Sequence, residues 1–469
     1  MSALSTKGNI GYLLVGLLGL IAVFFGAFIV ILSVRDILVV AVLAAGICCV
    51  VIYFVLISLC CIGNRFALSI YLGLLVFIAD ASLRSQGVEA ASLDLQSLVK
   101  LAMWGGALVI SAFHFNKINR SIFNAKPVLL LTYALFAMLS AAWSTTPLYT
   151  FGAGVALISV VVFCALVTEL LGKEQIIKAV LIALCVFISI SLVKVIYYIA
   201  IGAPLGEYRH AGFAGSPNNL GRLSGLMLLF LWLWHSSGSR AGVRKAFLAI
   251  MALATLVLSQ SRTAMAGAAL SIAATFSVKR QAVLAVSVVV SAILLAGLIG
   301  NDLLDPTQSG KVLTRSGNTE EISTLTGRTS IWKYAWHKVT VSPIIGHGYA
   351  ATREFMPREY FTVYGWTTNT VHNTVLQSLV TTGIVGTSML LIIWGMQLFQ
   401  FFRRRSKFRD SIFVLVIVSG ITEAGVVGAM PSVITILWAL SLFWKDEEQA
   451  EQALDQAPLN LSRHGAYMA

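Results

Sequence analysis

The sequence predicts an all-α, polytopic membrane protein with about 12–14 transmembrane helices and one large external loop. Of its 469 residues, 58% are hydrophobic and 11% are charged, whereas a soluble chain carries about 25% charged residues. Apolar runs of membrane-spanning length recur from Ile10 to Trp444. Loops rich in Lys and Arg fall on alternate connections, as expected when cytoplasmic loops hold most of the basic residues.

Fourteen apolar segments are candidate spans. They cover residues 10–32, 37–62, 66–80, 98–115, 127–143, 151–171, 176–201, 219–235, 246–259, 264–278, 281–300, 373–402, 411–428 and 432–444. The densest basic loop, Phe401–Asp410, is predicted to be cytoplasmic because Lys and Arg accumulate on that side. Counting outward, the basic loops at Lys117, Arg244 and Lys279 lie on the same side, as do both ends of the chain.

The chain is predicted to divide into four regions. Residues 1–300 hold transmembrane helices 1–11, residues 301–372 form the external loop with short helices, residues 373–445 hold helices 12–14, and residues 446–469 form a disordered cytoplasmic tail. In the loop, apolar and aromatic side chains at helical spacing predict a helix that Pro343 ends. A Gly-rich turn and a short second helix follow. Long ordered loops on compact proteins are usually functional.

Four arginines on the external side run against the positive-inside rule: Arg209, Arg222, Arg262 and Arg328. An external anion would explain their position, since arginine is always charged and presents a planar fork of donors suited to phosphate. The sequence therefore predicts an anionic ligand at headgroup depth, for which a lipid-linked diphosphate is a fitting candidate. The alternative is that these side chains snorkel to lipid headgroups.

A helix start lies beside two of these arginines. Ser216 is a plausible N-cap with a proline at the first helical position. Asn218 and Arg222 are four residues apart and therefore share a face at the outer mouth of that helix. His210, next to Arg209, is an alternative functional member of its pair.

His372 stands where a polar segment turns into a hydrophobic helix that begins around Asn373, with Asn369 or Thr370 as possible caps. A helix N-terminus and nearby arginines both disfavour a positive imidazolium. A neutral ring can act as a general base, so we predict that His372 takes a proton from a substrate. The alternative is a purely structural histidine at a helix end.

Two further ionisable residues, Lys194 and Glu423, fall within apolar runs near the outer leaflet. Intramembrane charges are functional candidates by default. Glu423 is expected to pair with one of the arginines, either to position it or only to neutralise it. The external segments contain no cluster with metal-ligand spacing, so the sequence predicts no metal and no other cofactor.

The order of these motifs resembles the O-antigen ligase and polymerase superfamily of bacterial envelopes. The resemblance rests on Arg328 with Trp332, Pro343 with the "GHG" at 346–348, His372-Asn373, and "GIVG" at 383–386. The upstream segments "SAAWSTTP" (140–147), "SPNNLG" (216–221) and "SQSRTA" (259–264) are also similar to segments of this group. The resemblance extends roughly from Ser140 to Gly386.

The resemblance implies a GT-C-like membrane glycosyltransferase in the bacterial inner membrane, with its active site facing the periplasm. The donor would be a glycan on undecaprenyl diphosphate, transferred with inversion to an acceptor hydroxyl. His372 would take the proton of that hydroxyl, and Arg209, Arg262 and Arg328 would bind the diphosphate, with Arg222 competing with Arg209 for that role. Other substrate-binding candidates are His210, Asn218, Asn373, Lys194 and Glu423.

Three functions remain open at the level of sequence. A repeat-unit polymerase is favoured because "WSTTP" and "SPNNLG" look more like exopolysaccharide polymerases. The first alternative is a ligase that moves a finished glycan to lipid A–core. A transporter or flippase is disfavoured because no pair of Gly- or Pro-broken spans recurs in two matching halves. Polysaccharide chain-length or export proteins are expected partners in the first two cases.

Overall fold

The computed structural model describes residues 37–82, 95–201, 210–235, 241–276, 328–361 and 367–444. These ranges are helical and contain no β-strand. Six of the described helices are long and apolar enough to cross a membrane. The predicted all-α, polytopic fold class is therefore confirmed. Spans 10–32 and 281–300, Arg209, and the tail 446–469 lie outside the described residues.

The described helices follow the predicted spans closely at most of their ends. In chain order they are α1 (Ile37–Cys61), α2 (Arg65–Asp80), α3 (Leu95–Phe113), α4 (Phe115–Ile122), α5 (Ala125–Leu139), α6 (Pro147–Leu170), α7 (Lys173–Ala200), α8 (Pro217–Leu233), α9 (Ala241–Ser259), α10 (Arg262–Phe276), α11 (Arg328–Val341), α12 (Thr352–Glu359), α13 (Thr374–Arg403), α14 (Lys407–Gly420) and α15 (Val433–Phe443). A short 3-10 turn, Ser140–Ala142, extends α5.

One predicted span ends early. Residues 411–428 were expected to be helical, but α14 stops at Gly420 and an irregular segment reaches α15. Glycines allow this path: Gly428 has φ of 81°, and a Cβ on Gly425 would overlap the Arg222 guanidinium. Hydropathy carries no information on backbone conformation, so the predicted helix continued past its actual end at Gly420. The segment 421–432 carries Glu423 out of the helix.

The centre of the bundle is α6, which packs against α3, α5 and α15. Long stretches of its surface are buried, including Val160, Phe163 and Leu166. Helices α2 and α15 are also joined by a polar contact, since the backbone N–H of Val433 donates to Oδ2 of Asp80 at 3.1 Å. The carboxylate at the end of α2 thus satisfies an amide at the start of α15 that has no partner within its own helix.

Helix α13 is broken at Gly383, which has φ of 62° and ψ of −164°. The break frees peptide groups that must be satisfied within protein in an apolar medium. The loop 343–348 supplies the partners. The bonds are His347 N to Val380 O (2.9 Å), Gly348 N to Thr381 O (2.9 Å), Ile384 N to Pro343 O (2.8 Å) and Val385 N to Ile344 O (3.1 Å).

Close packing explains the glycines of both segments. Gly346 has φ of 67°, and a Cβ there would lie 2.5 Å from the Thr381 carbonyl carbon. A Cβ on Gly383 would overlap the Ile344 carbonyl. The "GHG" and "GIVG" segments therefore form one structural unit that fixes the connection between α11 and α12 against α13.

Candidate functional site

The Glu423 carboxylate and the side chains around it, Asn218, Arg328 and His372, are called the carboxylate cluster. The cluster lies where the starts of α8, α11 and α13 meet the segment 421–432. At its centre, Oε1 of Glu423 accepts hydrogen bonds from Nη2 of Arg328 (2.9 Å) and Nδ2 of Asn218 (2.6 Å). Its Oε2 lies 3.2 Å from Nδ1 of His372. The Glu423 side chain is 18% exposed. Three parts of the chain that are distant in sequence thus share one carboxylate.

The surroundings keep Glu423 ionised. Burial on its own would raise the pKa of this carboxyl group. The charge and hydrogen bond of His372 act in the opposite direction, followed by the charges of Arg328 and Arg222, and together they lower the pKa to about 2. Above that pH Glu423 is an acceptor-only group. Cluster members that bond to it must therefore donate.

His372 is held in an uncommon backbone conformation, with φ of 55°. Histidine is among the few residues other than glycine that are enriched in this left-handed region, and strained positions of this kind cluster at functional sites. The next residue, Asn373, is the N-cap of α13: its Oδ1 accepts from Leu376 N (2.9 Å) and its Nδ2 donates to Ile421 O (3.0 Å). The cap is thus Asn373, whereas Asn369 or Thr370 was expected.

The carboxylate determines which ring nitrogen of His372 is available. Because Glu423 can only accept, Nδ1 carries the hydrogen, and in a neutral ring Nε2 then has the lone pair. Nε2 lies 3.1 Å from the Thr368 hydroxyl. The expectation from the sequence rested on the helix terminus and nearby arginines and did not include this carboxylate. The arrangement of carboxylate, imidazole and an Nε2 that can accept a proton suits general-base chemistry.

His372 and Thr368 line a polar cavity of about 490 Å³. Its wall is formed by the end of α2, the last turns of α7, the starts of α3, α8 and α12, and the segments 211–216, 367–369 and 429–432. Charged and polar residues dominate it: Asp80, Ser82, Gln96, Lys100, Lys194, Ser216, Asn219, Arg353, Thr367 and Asn369. The histidine therefore stands between the carboxylate cluster and a space large enough for a ligand.

Arg222 and Arg262 lie beside the cluster. Arg222 is half-buried, donates to Oδ1 of Asn219 and packs against Gly425. Arg262 is the first residue of α10, and its side chain is exposed. A Cβ on Gly221 would contact the turn that precedes Arg262, at Ser261 Cβ, at 2.8 Å. That turn therefore lies against the start of α8. Among the described contacts, none joins Arg262 to the carboxylate cluster.

The other candidates occupy different positions. Lys194 lines the cavity. His210 is buried, and within the described chain its Nε2 has no hydrogen-bond partner. Ser216 caps α8 as predicted, accepting from Asn219 N at 3.2 Å.

Two residues of the site were missed by the sequence reading. Thr368 lies four residues before His372 in a polar stretch, where nothing distinguishes one hydroxyl from the next. Arg353 lines the cavity from α12, and the sequence showed only a short helix there. The available signal for Arg353 was a basic residue shortly after the Gly-rich turn at 346–348.

Two comparisons with known proteins bear on this site. A family model described as O-antigen ligase matches residues 246–391. The exopolysaccharide production protein ExoQ of Rhizobium meliloti (strain 1021) is 24% identical over 285 residues, a match that covers 56% of this chain and 62% of ExoQ. The family match includes Arg262, Arg328, His372 and Asn373, whereas Glu423 lies beyond it.

Proposed function

The chain's resemblance to the O-antigen ligase and polymerase superfamily is confirmed, and from that premise we propose that it is an inverting membrane glycosyltransferase. It moves a glycan from undecaprenyl diphosphate to a sugar hydroxyl on the periplasmic face of the inner membrane. We favour a repeat-unit polymerase of an exopolysaccharide or O-antigen. The similarity to ExoQ, an exopolysaccharide production protein, supports this choice.

One observation carries the proposal. His372 lines a polar, cation-rich cavity while its Nδ1 faces the Glu423 carboxylate at 3.2 Å. An imidazole held in this way presents Nε2 towards the cavity wall at Thr368. A hydroxyl bound there would lie within reach of a base whose tautomer and orientation are fixed.

The reaction follows from this geometry. The acceptor hydroxyl transfers its proton to Nε2 of His372 as its oxygen attacks the anomeric carbon of the donor. The bond between that carbon and the diphosphate oxygen breaks, and the lipid diphosphate leaves with the electron pair. Glu423 stabilises the imidazolium that forms. Because the leaving group already carries its negative charge, fixed cations can lower the barrier without a metal ion.

Contacts of the cluster suggest how its other members act. Arg328 and Asn218 both donate to Oε1 of Glu423, so they are positioning residues for the carboxylate and, through it, for His372. Arg222 adds positive charge on the same side. Arg262, exposed at the start of α10, is placed to meet a diphosphate approaching from the membrane surface.

The second candidate is an O-antigen ligase, which the description of the matching family model favours. The acceptor distinguishes the two functions. Purified protein would be reconstituted with a lipid-linked repeat unit, with and without lipid A–core. A ladder of longer lipid-linked glycans without lipid A–core indicates a polymerase. Transfer that occurs only onto lipid A–core indicates a ligase, and no transfer in either case contradicts the proposal.

A further inference from the structure

We infer that Arg353 and Lys194 bind the donor's diphosphate inside the polar cavity. The inference rests on the proposed function and assigns the leaving-group site to residues outside the carboxylate cluster. It concerns one cavity and two side chains that come from α12 and α7.

Arg353 is oriented without being neutralised. Its Nη1 donates to the Tyr149 hydroxyl at 3.0 Å, and the guanidinium lies 5.5 Å from the centre of the same ring. Because the tyrosine side chain is neutral, it does not offset the positive charge of Arg353. Within the described residues Arg353 takes part in no salt bridge, because Glu354 pairs with Arg358 at 2.8 Å and Glu359 with Lys338 at 2.6 Å. Its Nε also lacks a partner there.

The segment just before α12, which carries Arg353, is held by two hydrogen bonds to the backbone of Tyr349. The Thr150 hydroxyl donates to Tyr349 O (2.8 Å), and Tyr349 N donates to the Ser140 hydroxyl (2.8 Å). These bonds attach the start of α12 to the outer ends of α5 and α6. A ligand that meets Arg353 therefore meets a cation already in place, which reduces the entropy lost on binding.

Lys194 lies at the depth expected for a lipid diphosphate. It precedes the end of α7 by six residues, about 9 Å at the α-helical rise. The 28 residues of α7 span about 42 Å, more than the roughly 30 Å hydrocarbon core, so this position falls near the boundary with the headgroups. Its half-buried side chain lines the cavity, and among the described residues no carboxylate pairs with it.

The other charged groups of the area have partners of their own, and the charges of Lys100 and Asp80 are opposite in sign. Arg328 is bonded to Glu423. The cavity-lining Lys100 donates to Ala79 O at 2.9 Å, and the cavity-lining Asp80 accepts from Val433 N. The two negative charges of the donor's diphosphate are therefore matched by Arg353 and Lys194. His372 opens onto the same space, as an attack with inversion requires.

The test measures lipid binding by the full-length protein in detergent. The probes are undecaprenyl diphosphate and uncharged undecaprenol, and the variants are Arg353→Gln and Lys194→Gln. Matched controls on the same two helices are Arg358→Gln and Lys178→Gln, whose side chains are 66% and 49% exposed and paired with nearby glutamates. Melting temperatures check that each variant is folded.

We expect each cavity variant to raise the Kd for undecaprenyl diphosphate by about tenfold or more, since hydrogen bonds to charged groups are the strong ones. The Kd for undecaprenol should not change, and the controls should match the wild type. If both cavity variants bind the diphosphate like the wild type while the wild type transfers glycan, this inference is wrong and the proposed function stands. If the wild type itself does not prefer the diphosphate over the alcohol, the proposed function fails with it.

Discussion

The Nδ1 atom of His372 lies 3.2 Å from Oε2 of Glu423, although 51 residues separate them in the chain. The other oxygen of the same carboxylate, Oε1, accepts hydrogen bonds from Arg328 and Asn218. This contact fixes the ring of His372. Glu423 thereby connects the histidine to the starts of α11 and α8.

Replacing either partner should slow glycan transfer. For His372→Ala we expect a decrease of about 10²–10⁴-fold, the usual contribution of a general base. Glu423→Gln should also reduce the rate, with the pH profile displaced, because the amide neither stabilises an imidazolium nor fixes the tautomer. Transfer rates in liposomes measure both effects. His337→Ala, an exposed histidine on α11, is the control, and a normal rate in His372→Ala would contradict the base assignment.

Stability should depend on Glu423 in acid. Its folded pKa of about 2 lies below the unfolded value of about 4.3. The stabilisation is therefore complete above the unfolded pKa and is lost as the pH falls through the folded one. The shift corresponds to about 3 kcal/mol. The melting temperatures of the wild type and Glu423→Gln should differ at pH 6 and converge between about pH 4 and 2. A constant difference would show that the charge of Glu423 is not the cause.

The pair of Arg328 and Glu423 can be tested by a double-mutant cycle. The two side chains are 13% and 18% exposed, so removing one partner leaves the other charge largely desolvated. We expect the free energies of unfolding of Arg328→Gln, Glu423→Gln and the double variant to give a coupling of about 1–3 kcal/mol. Additive effects would mean that the ion pair contributes nothing measurable.

The break in α13 should tolerate no side chain. Gly383→Ala would place a Cβ against the Ile344 carbonyl at a positive φ, and we expect a loss of at least about 2 kcal/mol of stability. Gly395→Ala, in the same helix with nothing within 4 Å, is the control and should stabilise slightly through helix propensity. Thermal unfolding in detergent distinguishes the two. Equal melting temperatures would rule out the strain argument.

Arg262 tests the geometry of donor handling at the membrane surface. Arg262→Lys keeps the charge but removes the planar fork of donors. We expect the KM for lipid-linked donor to rise several-fold while the melting temperature stays unchanged, because the side chain is exposed. Arg358→Lys, exposed on α12, provides the comparison. Unchanged donor kinetics would exclude contact between Arg262 and the diphosphate.

Hydropathy and turn chemistry were sufficient to predict most helices. The cap at Ser216, the end of α11 before Pro343, and the start of α13 near Asn373 were readable because short-range rules govern them. The position of His372 just before a hydrophobic helix was also readable, since a polar segment that opens such a helix is unusual.

Long-range contacts explain what the sequence could not show. The partnership of Glu423 with His372 depends on where α14 ends, and that end is set by glycines packed against Arg222 and Gln377. Arg353 gained its position through Tyr149, 204 residues away. Such pairs leave no periodic pattern in the sequence. The kind of site and its region could therefore be predicted, but the contacts between its side chains could not.

The joining of the loop 343–348 to the break in α13 also affects how solvent reaches the backbone. The amide hydrogens of His347 and Gly348 are donated to carbonyls of a membrane helix, so they cannot exchange with deuterium unless that helix opens at Gly383. In hydrogen–deuterium exchange this stretch of surface loop should be as slow as the bilayer-embedded turns beside it.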